Sequence, residues 1–187
     1  VNNDRPNDEL NRVPASATNK NYGFPYCFEK DFPDPDFNSK GDCKSYVGAE
    51  HVLGSHVAAL GMTFVSGKNF PEAFRSKNMI LIAERGSIKI TSPTGYRIAM
   101  VDPTDASPAS YQSFASGFFN GTAWGRPNDV HSMQDGSVLV ADDLAGAIYR
   151  MYYFNPAEPN AASIESLSIG AAMIFSVIVI AIQALLL

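Results

Sequence analysis

The chain has 187 residues, 45% hydrophobic and 18% charged, with a formal net charge of −5. That length holds one globular domain plus extras. An acidic chain without a Lys/Arg run lacks the clustered cations that replace counterions on a polyphosphate, which argues against nucleic acid as a partner.

The opening "VNNDRPNDELNRVP" is polar, starts at Val1 rather than Met, and has no signal-peptide pattern. We read the chain as a processed form or a fragment, and favour the fragment. Next come Cys27 and Cys43 in "PYCFEKDFPDPDFNSKGDCKSY", a loop rich in Pro, Asp and Gly. Strand-like runs then follow one another: Gly61 to Val65, Asn78 to Arg85, Gly95 to Val101, and a shorter "SYQSFASGF". After a Gly-rich break the pattern restarts with Asn128 to Met133, Ser137 to Asp143 and Ala147 to Tyr153. Two outer runs carry Gly with Tyr beside Arg, "GYRIAMV" and "GAIYRMYY". Repeated antiparallel meanders of this kind build β-propeller blades, the bland alternative being a β-sandwich. Two such sets cannot close a propeller, so the fold class is all-β, the C-terminal blades of a larger propeller over 1–153.

A linker and spacer cover 154–170, and 171–187 is an apolar tail. No charge follows Glu165, and the uncharged run is long enough to cross a bilayer as a helix. Two readings stand for it. Asn160, Ala161 and Ala162 followed by a polar spacer and an apolar end match a glycosylphosphatidylinositol signal, with Asn160 as attachment residue. The alternative is a single-pass membrane helix. Either places the domain at the outer face of the plasma membrane. Export favours a Cys27–Cys43 bridge over two free thiols and makes "NGT" at Asn120 a glycosylation acceptor. No His or second Cys close by suggests a metal at the cysteines.

Several of these runs together resemble a known family. "HVAALGMTFVSGKNFPEAFRSKNMILIAERGS", "TGYRIAMV" and "WGRPNDVHSMQDGSVLVADDLAGAIYRMYY" resemble the C-terminal part of the glucose/sorbosone dehydrogenases. The likeness runs from about Asn2 to Tyr153. It implies a six-bladed propeller that uses pyrroloquinoline quinone (PQQ) and calcium to oxidise sugars. It also implies that the N-terminal blades, with the histidine base and calcium loop, lie outside this chain.

By that resemblance Arg126 pairs with a carboxylate of PQQ, for which its planar, permanently charged fork is suited. A rim salt bridge with Asp129 is the plainer reading of Arg126. His56 stands where the family places a histidine near the cofactor; a hydrogen-bonded structural histidine is its alternative. Where the family reads "HGSWNRS.PTGY", this chain reads "ERGSIKITSPTGY". Arg85, Ile88, Lys89 and Ile90 therefore replace histidine, tryptophan, asparagine and arginine, which removes a flat aromatic while leaving Arg85 and Lys89 to supply charge. Asp142 and Asp143 close a strand, where an aspartate accepts backbone N–H bonds and holds the turn. His51 and His131 have no support as ligands, and no catalytic base or metal site is expected among these residues. The function expected is the C-terminal part of a membrane-anchored, extracellular PQQ sugar dehydrogenase. The rival is an anchored propeller, without the quinone, that binds glycans or proteins.

Overall fold

The computed structural model describes residues 5–37, 42–88, 91–153 and 177–179. These residues are almost entirely β, with one short helix, α1 (Glu72–Arg75). A two-stranded antiparallel sheet pairs β1 (Asn7–Leu10) with β4 (His51–Ser55), and a hairpin of β2 (Cys27–Phe28) and β3 (Phe32–Pro33) lies between them in the chain.

Two four-stranded antiparallel meanders follow. The first runs β5 (Ala59–Phe64), β6 (Ile80–Glu84), β7 (Arg97–Val101), β8 (Tyr111–Ala115). The second runs β9 (Pro127–Ser132), β10 (Val138–Asp142), β11 (Ala147–Tyr153), β12 (Val177–Val179). The expected runs thus became strands within three residues of their anticipated bounds. β1 to β4 were not anticipated, since Glu9 and Gly54 interrupt any apolar alternation there.

The meanders pack face to face in the manner of neighbouring propeller blades. Val65, Leu81, Ala83 and Ile98 of the first interlock with Val130, Val138, Val140 and Met151 of the second. Each buried aliphatic side chain contributes about 1.5–3 kcal/mol of transfer free energy. The inner strands β5 and β9 approach so closely that a Cβ on Gly61 would lie 2.6 Å from the Cα of Asp129. A glycine at that point is a packing requirement. The opposite face of the first meander carries Ile80, Ile82, Ala99 and Val101, covered by Leu53 and Val57.

The Cys27–Cys43 disulfide is formed, with the Cα atoms 5.6 Å apart. It ties the β2–β3 hairpin to the 3₁₀ turn at Cys43–Ser45. One tail expectation needs correction over the residues described. Val177–Val179 forms a strand on the edge of β11, not a helix, because a β-branched run meets the unpaired backbone groups of an exposed edge. The linker, Asn160 and the remaining tail fall outside the described residues. Among the described residues no helix is long and apolar enough to cross a membrane.

Candidate functional site

One end of the two meanders collects the turns that carry the expected site residues. Arg85 and Gly86, which leave β6, donate their backbone N–H groups to the carbonyls of Ala58 and Val57 in the β4–β5 turn, at 3.0 and 2.8 Å. Thr94, on the same β6–β7 loop, donates its hydroxyl to the Ser55 carbonyl at 2.7 Å. At the matching end of the second meander the Asp143 N–H reaches the Arg126 carbonyl at 3.2 Å, and across the inter-sheet boundary Arg85 donates to Asp143 and Arg126 to the Ser87 carbonyl. His56, Arg85 and Arg126 therefore sit on adjoining turns of a single rim.

Arg126 is half-buried and engaged on three neutral acceptors. Its guanidinium donates to the carbonyls of Gly86 at 3.3 Å and Ser87 at 3.0 Å, and to the Tyr96 hydroxyl at 2.9 Å. It also lies 5.0 Å from the centroid of the Tyr96 ring. Gly86 makes this cradle possible. At φ +95° it turns the chain, and a Cβ there would lie 2.6 Å from the Tyr96 ring. Tyr96 is locked in turn by donating its hydroxyl to the Ser87 carbonyl at 2.6 Å.

The anticipated salt bridge to Asp129 is not formed: the Asp129 carboxylate accepts from the Val130 N–H at 2.9 Å. Among the described residues no carboxylate pairs with Arg126. Its charge at this rim is held by dipoles alone.

Asp142 does the structural work expected of it. Buried, it accepts from the backbone N–H groups of Arg126, Leu144 and Ala145 at 2.8, 3.0 and 2.9 Å. One carboxylate thereby fixes both the β10–β11 turn and the backbone that launches Arg126. Asp143 has a different partner, Arg85, whose Nε donates to it at 2.7 Å. That exposed pair bridges the two meanders and offsets the Arg85 charge. His56 adopts a left-handed φ of 54° and donates Nε2–H to the Arg5 carbonyl at 3.1 Å. Lys89 and Ile90 lie outside the described residues, whereas Ile88 is exposed.

Four residues at or near this end were not singled out in the sequence. Tyr96 completes the Arg126 cradle. Trp124 is 48% exposed, stacks on Phe118 with centroids 5.3 Å apart, and donates Nε1–H to the Gly117 carbonyl at 2.6 Å, so its indole is held as a fixed flat surface. Asn128, two residues past Arg126, has a buried Oδ1 without a donor among the described residues. Glu84, fully buried at the end of β6, accepts from Arg97 at 2.7 Å and from the Tyr111 hydroxyl. Burial, followed by the Glu84 charge, pushes the Tyr111 phenol up to about 12. The "WGRP" spacing and the family motif marked Arg126; nothing local marks Tyr96 or Glu84, because their partners lie up to thirty residues away.

Asn120 is exposed, as an acceptor for glycosylation requires. Among the described residues no group of three or more His, Cys, Asp or Glu side chains is placed to hold a metal ion.

Comparison with known proteins identifies the fold. The chain superposes on the calcium and iodide structures of a Trichoderma reesei protein of Carbohydrate-Active Enzymes Family AA12, with TM-scores of 0.65 and 0.66. Identity is 20%, and the match covers 80% of this chain and 44% of that one. The two proteins share a fold. By sequence the chain is 35% identical over 153 residues to an uncharacterized protein of Borreliella burgdorferi. That match covers 79% of this chain and 39% of its relative. The chain thus spans about two fifths of the length of the curated protein it matches. No family model matches.

The rim residues suit a planar, multiply acidic cofactor. Arg126 offers a positive charge that pairs with no carboxylate among the described residues. Arg85 could contribute only by sharing itself with Asp143.

Proposed function

We propose that the chain is the C-terminal part of a PQQ-dependent sugar dehydrogenase. The observation that carries the reading is Arg126, a pre-oriented guanidinium without a carboxylate partner among the described residues, at the rim of a propeller-like fold. A fold shared with a carbohydrate-active enzyme supports a sugar substrate. PQQ, when bound, supplies the acceptor for a hydride from the sugar C–H.

This chain's residues bind and orient. Arg126 attracts a cofactor carboxylate, Asp142 fixes the backbone from which Arg126 projects, and Tyr96 holds its guanidinium in plane. The exposed face of Trp124 offers a sugar ring an apolar stacking surface. Glu84 and the Nε2 of His56 are already spent on internal hydrogen bonds. The base that takes the sugar hydroxyl proton, and the calcium ligands, are therefore assigned to upstream sequence.

The test is PQQ binding by titration calorimetry on the longest natural polypeptide that contains this chain. Arg126→Gln should weaken binding about 10- to 100-fold, the loss expected for a charge-assisted hydrogen bond. Unchanged affinity would overturn the role of Arg126, and no binding by the parent protein would overturn the cofactor. A second reading draws on the exposed Ile88 and the Arg85–Asp143 pair, which leave less for a quinone to hold. Under it the rim binds glycans without redox chemistry, and Trp124→Ala would abolish glycan binding while PQQ has no effect.

A further inference from the structure

Between β8 and β9 the chain carries a motif that the proposed function leaves unused. Phe118 to Trp124, "FFNGTAW", turns back on itself as a short hairpin with Gly121 at its tip. The Trp124 N–H donates to the Phe118 carbonyl at 3.1 Å, and the Asn120 N–H to the Thr122 carbonyl at 3.3 Å. Phe119 and Ala123 form an antiparallel bridge between these two hydrogen bonds. That register sets Phe118 opposite Trp124 and Asn120 opposite Thr122. Opposed residues share a face, and alternate residues along a strand return to it. Phe118, Asn120, Thr122 and Trp124 therefore stand on one side of the hairpin, with Phe119 and Ala123 on the other.

The two sides do different work. Phe119 packs against Tyr96, with ring centroids 5.1 Å apart, and so braces the Arg126 cradle. On the other side Phe118 is buried against Tyr149 and Trp124, at centroid distances of 6.0 and 5.3 Å. The Trp124 indole closes that stack with its other face in solvent, and its Nε1–H is spent on the Gly117 carbonyl. What the ring still presents is an apolar surface held in one orientation. Asn120 and Thr122 are exposed beside it. Asn120 occupies the diagonal position to Trp124, where cross-strand neighbours stand about 7–8 Å apart.

"NGT" is an acceptor pattern for N-linked sugar. The Cys27–Cys43 disulfide belongs to the oxidising compartment in which that pattern is read. We propose that Asn120 carries an N-linked glycan whose first sugar lies on the exposed face of Trp124. In the attachment, Asn120 Nδ2 displaces polyprenyl diphosphate from C1 of a lipid-linked oligosaccharide. The C1–O bond breaks, a C1–N bond forms, and Nδ2 gives up one proton. An asparagine side chain and one pyranose ring span the diagonal, which brings the C–H face of the sugar onto the indole. Both partners are held in advance, so the contact costs little ordering. Occupancy at Asn120 then decides whether the Trp124 face is open to a free sugar. The glycan site itself rests on neither functional reading, since Arg126 is held by Tyr96 on the Phe119 side.

The test uses the longest natural polypeptide that contains this chain, secreted from a eukaryotic host. Enzymatic release of N-glycans in heavy-oxygen water should leave a labelled aspartate at position 120, read by peptide mass. Thr122→Ala keeps the asparagine and should abolish that label. Oxidation of Trp124 by N-bromosuccinimide, followed on its peptide, should be about 5- to 10-fold slower in the glycosylated protein than in Asn120→Gln, the protection expected of a contact as strong as an aromatic pair. It should stay slow after an endoglycosidase trims the glycan to its first sugar. An unmodified Asn120 in the secreted protein overturns the site. Equal oxidation rates, or protection that disappears on trimming, overturn the contact with Trp124. None of these measurements involves PQQ: a protein that is glycosylated and shielded at Trp124 but fails to bind the quinone sinks only the functional proposal.

Discussion

At the scale of single residues, the rim depends on carboxylates that accept several donors at once. Asp142 ties the β10–β11 turn to the start of β9 through three backbone N–H groups. Asp142→Ala should cost about 2 kcal/mol or more by urea denaturation. It should also weaken PQQ binding although the residue itself is buried, because Arg126 loses its anchored backbone. Asp102 is held by Lys77 at 2.7 Å and by the Thr104 hydroxyl and N–H. These hydrogen bonds, that from Lys77 first, bring its carboxyl down to about 2. Because the folded value lies below the unfolded one, this contribution is present above about pH 4 and is lost as pH falls toward 2. Lys77→Met should flatten stability measured between pH 4 and 2; an unchanged slope would remove the pair from the acid-side account. Tyr111, raised to about 12, has the opposite sense. It contributes fully below about pH 10, and that contribution fades between pH 10 and 12 as the unfolded phenol ionises first. Tyr111→Phe should reduce the alkaline loss seen in the same assay.

Among elements, two devices hold what the strands alone would not. The disulfide closes the Pro- and Asp-rich loop between Cys27 and Cys43, a span with few buried side chains. A Cys27→Ser/Cys43→Ser variant should lose about 3 kcal/mol, the denatured-state entropy released by a loop of this length. Comparison of thermal melts with and without reductant on the parent protein checks the same quantity. Glu84 at the end of β6, Arg97 at the start of β7 and Tyr111 at the start of β8 form a charge-bearing network across three strands. Arg97→Met would leave the fully buried Glu84 carboxylate without its cation, at a cost of about 3–5 kcal/mol. A double variant that also converts Glu84→Leu should recover much of that loss, which a double-mutant cycle would measure.

For the molecule as a whole, the proposed function implies that further blades complete the ring. Among the described residues, two four-stranded meanders and the two-stranded β1–β4 sheet leave sheet edges that a closed ring would cover. We expect the 187-residue chain by itself to show no PQQ-dependent dye reduction with sugars, and to associate more readily than the longer polypeptide. Turnover by the isolated chain would refute the assignment of the base to upstream blades.

Much of this was written in local sequence. Alternation of β-branched and aromatic residues marked the strands from β5 to β11, since a half-buried pleated strand imposes a period of two on its own residues. Cys27 and Cys43 declared a bridge through the composition of their loop. Asp142 declared its role through the turn that follows it. Other decisions needed the folded chain. Arg126 finds Gly86, Ser87 and Tyr96, and Arg85 finds Asp143, only because two meanders pack with their turns at a common rim. β4 forms because β1 supplies its backbone partners, although its own residues carry little alternation. Met62 and Phe64 lie in a run the sequence marked as a strand, yet both are exposed, which the run alone does not indicate. Local propensity and periodicity act over a few residues, whereas charge pairing and burial depend on which distant segments the topology brings alongside.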